Sequence, residues 1–414
     1  MGILNRMFMP GLQAEGENEV RVVQINYDAV PIGGASIAML RIHRAIRSAG
    51  VDSIIVCRKS ADDEKSILYR LPLRYRIVEF CFKVFQKVLY GKCDSTGLIN
   101  TGMADFVNAL NPDIVQLNWL QANTIGINEL LKIKCPIVWF THDLWGALGT
   151  AVYPLDDCYK KENPGKSILD RMAWRNKRNV VQRLKNRLWI VSPSEWACNE
   201  ARKSIVFREV PCRCIHYPLS FEFVSASKSI PTEHRRCRNE KFTILFGSTT
   251  GISSHVKGWD RLMAAIDLLP HDVREKTRIQ VFGCSAEART QNGVEISFKG
   301  KLKNEDLIPL YRGADVFAFP SRKETWGQTK VEALCCGLPV IAFDQTACAN
   351  GIRHRENGWV AHADDISMFT EGILWFFQKW VSDDPLVIRN EDMRYLPEAI
   401  AKDWIRLYAE ILRG

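Results

Sequence analysis

The densest chemistry in the chain lies in residues 315–344, DVFAFPSRKETWGQTKVEALCCGLPVIAFD. Two carboxylates, Glu324 and Glu332, bracket Thr325, Trp326, Gly327, Gln328 and Thr329. Gly327 permits close approach of a ligand to the backbone. The first N–H groups of a helix starting there would point at an anion. Glu332 falls one turn into that helix, on the stripe of Gln328, where the helix dipole helps keep it ionised. A carboxylate can accept hydrogen bonds from two neighbouring hydroxyls at once. These groups therefore suit a ligand that carries both phosphate and vicinal hydroxyls.

The flanking pattern supplies elements to hold them. Val316, Ala318 and Phe319 form an apolar run ending at Pro320 and Ser321, and residues 338–343 form another. Val331, Leu334 and Cys335 recur at helical spacing, and Gly337 with Pro339 stops that helix. Strand, loop, helix, strand is the order expected of a parallel sheet, whose ligands bind beyond the carboxyl ends of the strands. The same alternation runs through both halves of the chain. Strands are predicted at 20–27, 51–57, 113–119, 136–140 and 188–192, and again at 242–247, 278–283, 295–298, 315–319 and 339–343. Helices on both faces of two parallel sheets follow. Gly33 and Gly34, between the first strand and a helix at 37–48, let a phosphate or sugar approach backbone amides, although a tight turn reads equally well from them. Residues 224–240 are polar, charged and Ser-rich and are expected to link the two halves.

The full string in residues 320–340 resembles the E-x7-E signature of retaining family-4, or group 1, glycosyltransferases. It carries Pro320-Ser321, Glu324, Trp326-Gly327, Glu332-Ala333-Leu334 and Cys336-Gly337-Leu338-Pro339-Val340. PSEWACNEARKS at 193–204 resembles a further element of that family. THDLWGALGTAVYPLDDC at 141–158 is similar to bacterial exopolysaccharide enzymes of the colanic-acid type. The resemblance implies an α/β GT-B fold: a first Rossmann-like domain at 1–225 binding the acceptor, a second at 241–395 binding the nucleotide sugar, and a closing helix at 396–414 that returns to the first. It implies that Glu332 binds the donor ribose and Glu324 the transferred sugar. Thr325, Trp326, Gly327, Gln328 and Thr329 would meet the distal phosphate, and Gly33 and Gly34 would line the cleft. His142, at a strand's carboxyl end, would contact the donor sugar; a histidine satisfying local loop backbone is the alternative. Departure of a nucleotide leaves new negative charge that the site must stabilise. No Asp-x-Asp pair suited to a metal is present, so no metal or other cofactor is expected, and Lys257 in SSHVKGWD, with Ser248 before it, is the candidate to meet that charge. Relatives place an arginine shortly before that lysine; here the segment reads Ser248-Thr249-Thr250-Gly251-Ile252-Ser253-Ser254-His255.

With 414 residues, 46% of them hydrophobic, the chain can bury two cores. Thirteen cysteines without paired C-x2-C spacing suggest a reducing compartment. No secretory signal or spanning helix is read, and a cytoplasmic location, at the inner face of a membrane, is expected. Residues 71–92, LPLRYRIVEFCFKVFQKVLYGK, combine aromatics with Arg74, Arg76, Lys83, Lys87 and Lys92. They read either as an interfacial helix on anionic lipid or as a helix packed on its own sheet with a solvated basic side. Residues 159–187 are strongly basic and are expected to form a solvated helix face. The net charge of +9 suits a phosphorylated substrate or an anionic surface; no nucleic-acid recognition motif accompanies it. The leading expectation is a transferase adding a sugar to a lipid-linked oligosaccharide in exopolysaccharide or capsule synthesis. A soluble transferase making a small glycoside and a non-catalytic nucleotide-sugar-binding subunit are the alternatives.

Overall fold

The computed structural model describes residues 19–31, 33–59, 65–90, 95–153, 167–228, 240–248, 251–384 and 393–414. The chain divides into two compact units. The adjacent acidic pair Asp156-Asp157, Thr249-Thr250 and most of the expected linker lie outside the described residues.

In the first unit, seven parallel strands lie in the order β3-β2-β1-β4-β5-β6-β7. They are β1 (Arg21–Asn26), β2 (Asp52–Cys57), β3 (Ser66–Leu68), β4 (Ile114–Leu117), β5 (Ile137–Phe140), β6 (Leu188–Ser192) and β7 (Cys212–Cys214). The central strands are buried on both faces: Val23, Ile25, Val115, Leu117, Ile137 and Ile190 form part of the apolar core, while Gln24, Asn26 and Gln116 are buried on β1 and β4 in alternation with them. The helices are α1 (Gly34–Ser48), α2 (Leu73–Tyr90), α3 (Met103–Ala109), α4 (Ile168–Leu184) and α5 (Glu195–Lys203).

Two of these helices depart from simple amphipathic packing. Helix α2 turns Glu79 and Gln86 inward and leaves Leu73, Ile77, Val78, Phe80, Val84, Phe85, Val88 and Leu89 exposed, with Phe80 at 68% and Val88 at 76%. A helix packed on its sheet by an apolar face is therefore not what forms; the apolar side faces outward. On α4 the expected solvated basic face holds only in part. Lys177 is fully buried and its Nζ donates to the carbonyls of Trp145 (2.8 Å), Leu148 (3.0 Å) and Gly149 (2.7 Å). Arg187, just beyond, reaches inward to the carbonyls of Leu131, Ile133 and Cys135. Both cations satisfy loop carbonyls that would otherwise be buried without a donor.

In the second unit the order is β10-β11-β9-β8-β12-β13-β14, parallel except for β10. The strands are β8 (Phe242–Gly247), β9 (Thr277–Phe282), β10 (Arg289–Gln291), β11 (Val294–Phe298), β12 (Val316–Phe319), β13 (Val340–Phe343) and β14 (Gly358–Ala361). Its helices are α6 (Phe221–Lys228), α7 (Trp259–Asp267), α8 (His271–Glu275), α9 (Asn304–Gly313), α10 (Gln328–Cys335) and α11 (Ile366–Val381). The core joins Ile244, Phe246, Ile279, Val281, Val316, Ala318, Ile341 and Phe343 to the inner faces of α7 and α11. Helix α6 belongs to this unit, which comprises Ser194–Ala197 and Leu219–Leu396. The closing helix α12 (Pro397–Arg413) belongs to the first unit. There Tyr408 donates to Gln116 Oε1 (2.6 Å) and Trp404 meets Phe140 edge to face. Among the described residues no helix is long and apolar enough to cross a membrane, and every cysteine is a free thiol.

Candidate functional site

In the second sheet β8 and β12 are neighbours although three strands separate them in sequence. The chain's direction of strand addition reverses between them, and such a switch point leaves a crevice beyond the carboxyl ends of both strands. The loop after β8 carries Lys257 and the loop after β12 carries Glu324. The structure joins them: Lys257 Nζ donates to Glu324 Oε1 at 2.6 Å. The carboxylate side chain is 10% exposed and the ammonium 28%, so the pair sits at a rim, with the lysine the more open partner.

Each partner is positioned by backbone that few other residues could form. Gly258, directly after Lys257, has φ of 72°, and a Cβ there would lie 2.1 Å from the Pro320 carbonyl oxygen. Only glycine lets the loop after β8 press against the end of β12. Arg322 fastens the same contact, donating to both carboxylate oxygens of Asp260 (2.8 and 2.5 Å) and to the His255 carbonyl (2.8 Å). On the other side Glu324 N donates to Thr346 Oγ1 (3.1 Å), and the Glu324 carbonyl accepts from Ala347 N (3.2 Å). The loop after β13 thus holds the glutamate from below.

Helix α10 begins at Gly327 in a left-handed conformation (φ 85°) with no side chain capping it. A Cβ at Gly327 would lie 2.7 Å from the Phe319 ring. Thr325 and Trp326 are buried, and Gln328 and Thr329 are half-buried at the helix start. Glu332 is buried one turn on, where Tyr311 Oη donates to its Oε2 at 3.4 Å. Ser248, at the end of β8, is buried and its hydroxyl donates to the Gly251 carbonyl (2.7 Å), closing the loop that leads to Lys257. His255 has an exposed side chain.

Sequence reasoning overlooked Lys330. It lies wholly inside, its Nζ donating to the Ala347 carbonyl (2.8 Å) and facing the Trp326 and Phe319 rings at 5.8 and 6.0 Å. Burial pulls its pKa down to about 8, against the pull of Cys348 and Glu324, which favour the charged form. Cys348 is pushed up to about 12 by burial and by Glu324, and stays a thiol. A lysine on a short helix reads from sequence as a solvated residue, and no local spacing marks this one as buried.

In the first unit β1 and β4 form the corresponding switch point. Gly33 caps α1 in an extended conformation (φ −138°), and a Cβ there would meet nothing within 4 Å, so the space beside the loop is open. Gly34 is the first residue of α1. His142, just past β5, is buried against Phe140 and Tyr217, with Nδ1 2.8 Å from Tyr217 Oη and Nε2 3.2 Å from Asn118 Oδ1. Desolvation lowers its pKa to about 3, which leaves the ring neutral. The carbonyl oxygen of Asn118 only accepts, so Nε2 carries the proton and Nδ1 accepts from Tyr217. Its neighbour Asp143 is pushed up to about 6 by burial, although Trp145 N (2.8 Å), the Lys177 charge and Gln121 Nε2 (2.6 Å) favour its ionised form. Burial also works to strip Lys177 of its proton. Three carbonyls within 3.0 Å use all three N–H bonds of an ammonium, one more than a neutral amine offers, so the proton stays.

Lys257, Glu324, Thr325, Trp326, Gly327, Gln328, Thr329 and Glu332 thus gather about one strand-end crevice in the second unit, with Ser248 in the loop leading to it. His142, Gly33 and Gly34 belong to the first unit. Among the described residues no group of three or more His, Cys, Asp or Glu side chains could hold a metal ion.

Residues 239–393 match the family described as Glycosyl transferases group 1. An uncharacterized glycosyltransferase of Methanocaldococcus jannaschii, MJ1607, is 28% identical over 119 residues, which cover 28% of this chain and 30% of that protein. The chain thus spans less than a third of the length of that curated relative. Similarity of fold extends much further. Sucrose-phosphate synthase from Thermosynechococcus elongatus superposes with a TM-score of 0.62 at 16% identity, over 95% of this chain and all of that one. Anabaena HepE, solved in complex with UDP, gives 0.62 at 13% identity over 94% of this chain and all of its own. The fold is therefore GT-B, two Rossmann-like α/β domains.

Proposed function

We propose, from the group 1 glycosyltransferase match over residues 239–393, that this protein is a metal-independent, retaining hexosyltransferase using a nucleotide-sugar donor. The observation that carries the reading is the Lys257–Glu324 pair at 2.6 Å in the β8/β12 crevice, beside the uncapped start of α10. It sets a cation and a row of amide donors where a diphosphate would lie, and carboxylates where sugar hydroxyls would lie. The UDP bound by Anabaena HepE makes a nucleoside diphosphate the first ligand to try.

In this reading Glu332 accepts from the ribose hydroxyls and Glu324 from hydroxyls of the transferred sugar. Lys257 and the first amides of α10 take up the charge that develops as the bond from the anomeric carbon to the donor phosphate breaks. Ser248 and the glycine pair Gly33-Gly34 border the donor. The new bond forms from an acceptor hydroxyl to the same anomeric carbon and on the same face, and the hydroxyl proton passes to the departing phosphate. No protein group is needed as base. His142 serves as a neutral hydrogen-bonding group to the donor sugar; its contact to Asn118 is the longer of the two and is the one a sugar hydroxyl replaces.

The acceptor is proposed to be a lipid-linked oligosaccharide of exopolysaccharide or capsule synthesis, met at the cytoplasmic face of the inner membrane. The outward apolar side of α2, with Arg74, Arg76, Lys83 and Lys87 among its residues, supports this: aromatics enter lipid while the cations meet headgroups. The test is turnover of a nucleotide sugar by the purified chain and by Glu324→Ala and Lys257→Ala, together with sedimentation on anionic vesicles. Unchanged turnover in both variants sinks the site assignment. Turnover without vesicle binding moves the acceptor to a soluble molecule and the product to a small glycoside.

A further inference from the structure

Beside α2, the first unit contains a cavity of about 460 Å3 that the donor reading does not use. Its walls carry four cations, Arg58, Arg70, Arg76 and Lys83, against a single carboxylate, Glu79, and Phe80 stands at its edge. Glu79 is already fully engaged. Its Oε2 accepts from Arg58 Nη2 at 3.0 Å and its Oε1 from Lys83 Nζ at 2.8 Å. Burial alone would raise its pKa, and the bonds from Lys83 and Arg58 reverse that, so it stays ionised and neutralises one charge. Arg58 Nε is buried behind that wall and has no hydrogen-bond partner among the described residues. Arg70 and Arg76 are exposed and pair with no carboxylate among the described residues.

The positive charge left over sits beside the exposed apolar side of α2, where Ile77, Phe80 and Val84 follow one another at helical spacing. A ligand that satisfies both features must be an anion on an apolar tail. Three of the four cations are guanidinium groups, whose planar forks match phosphate oxygens two at a time. The volume exceeds what a bare phosphate needs and falls in the range of a small-molecule site.

We propose that this cavity binds the phosphate headgroup of a membrane amphiphile whose hydrocarbon lies along the exposed side of α2. The assignment rests on the membrane reading above and deepens it: the contact is a headgroup-selective site rather than a general attraction of a basic helix to negative lipid. Arg70 and Arg76 would grip the phosphate, with Arg58 adding its charge from the cavity wall.

The experiment uses the full chain and three vesicle compositions: phosphatidylcholine alone, and phosphatidylcholine mixed with phosphatidylglycerol or with phosphatidic acid at matched surface potential. Phosphatidic acid exposes a phosphomonoester; phosphatidylglycerol shields its phosphate behind glycerol. The parent chain is expected to bind phosphatidic acid vesicles at least tenfold more tightly than phosphatidylglycerol vesicles. Arg70→Gln with Arg76→Gln should erase that preference, while Lys87→Gln, on the same helix outside the cavity, should keep it. Both arginines are exposed, so the double variant is expected to fold, and its melting temperature checks this. Equal binding to the two anionic vesicles by parent and double variant overturns the site and leaves the membrane contact standing. Absence of binding to every vesicle removes the membrane contact and the site together. Stabilisation by inorganic pyrophosphate that is lost in the double variant, with no preference among vesicles, assigns the cavity to a soluble phosphate and overturns the lipid assignment. Nucleotide-sugar turnover is read separately and is not altered by any of these outcomes.

Discussion

Lys257 is held by Glu324, and under the proposed donor reading that pairing makes a signed prediction about which variant loses which step. A diphosphate must draw Lys257 away from, or share it with, a carboxylate 2.6 Å distant. Replacing Glu324 by Gln removes the competing charge and frees the lysine. Replacing Lys257 by Met removes the phosphate partner and strands Glu324, whose side chain is only 10% exposed. A charge-assisted hydrogen bond is worth about 1.5–3 kcal/mol. At about 1.4 kcal/mol per factor of ten, Lys257→Met should weaken nucleoside diphosphate binding roughly 10- to 150-fold. Glu324→Gln should bind the diphosphate as tightly as the parent or more tightly, yet transfer no sugar, because the group that holds the sugar hydroxyls is weakened. Stability should show the same asymmetry. Lys257→Met leaves a buried carboxylate without its ion-pair partner, whereas Glu324→Gln leaves a lysine that can reach water. Isothermal titration with whichever of UDP, GDP and ADP binds the parent chain, alongside turnover of the matching sugar nucleotide, decides it. Equal loss of diphosphate binding in both variants would refute the reasoning, since it would mean that the pair acts as one structural unit.

Three further outcomes follow from the geometry. Gly258→Ala must relieve both a φ of 72° and a Cβ placed 2.1 Å from the Pro320 carbonyl oxygen, at a cost of about 1–3 kcal/mol, and should abolish turnover by moving Lys257; a parent-like melting curve would contradict this. His142, with its pKa lowered to about 3, stays neutral when folded and takes up a proton when unfolded below pH 6.5. Stability should therefore fall as pH drops from 6.5 towards 3, by up to about 1.4 kcal/mol per unit, relative to His142→Phe; denaturant midpoints for the two chains should diverge accordingly, while Asp143, common to both, cancels. Lys177→Met leaves the carbonyls of Trp145, Leu148 and Gly149 without their donor and Asp143 without its counter-charge, and should cost roughly 3–5 kcal/mol, read as a fall in melting temperature of at least about 6 °C.

The strand-loop-helix string at 315–344 was legible because its parts agree: apolar runs of strand length, a glycine at the helix start and a Gly-x-Pro stop. What escaped notice has identifiable causes. Strands β3 and β10 have three residues each, too few for periodicity to register. Helix α9 carries Pro309 inside it, which local chemistry reads as a break, although the proline falls in the second turn. Helix α2 was visible as apolar and basic, with both orientations left open: a helical wheel shows two faces without saying which one packs. Glu79 and Gln86 take the inner face because Arg58 gives Glu79 a charged partner there. Lys177 was read as part of a solvated face because composition cannot distinguish a solvated lysine from one that closes a set of carbonyls.

The central claim is that the crevice between β8 and β12 holds the nucleoside diphosphate of a sugar donor. The measurement that tests it most directly is the melting temperature of the purified chain with and without UDP, GDP, ADP and their common sugars. A ligand at one hundred times its Kd adds about 2.7 kcal/mol to the native state. The account predicts a clear rise with one nucleotide family, absent in Glu332→Ala and reduced in Lys257→Met. A rise that survives unchanged in both variants would place the nucleotide elsewhere and contradict the account, as would a cooperative melt that no nucleotide shifts.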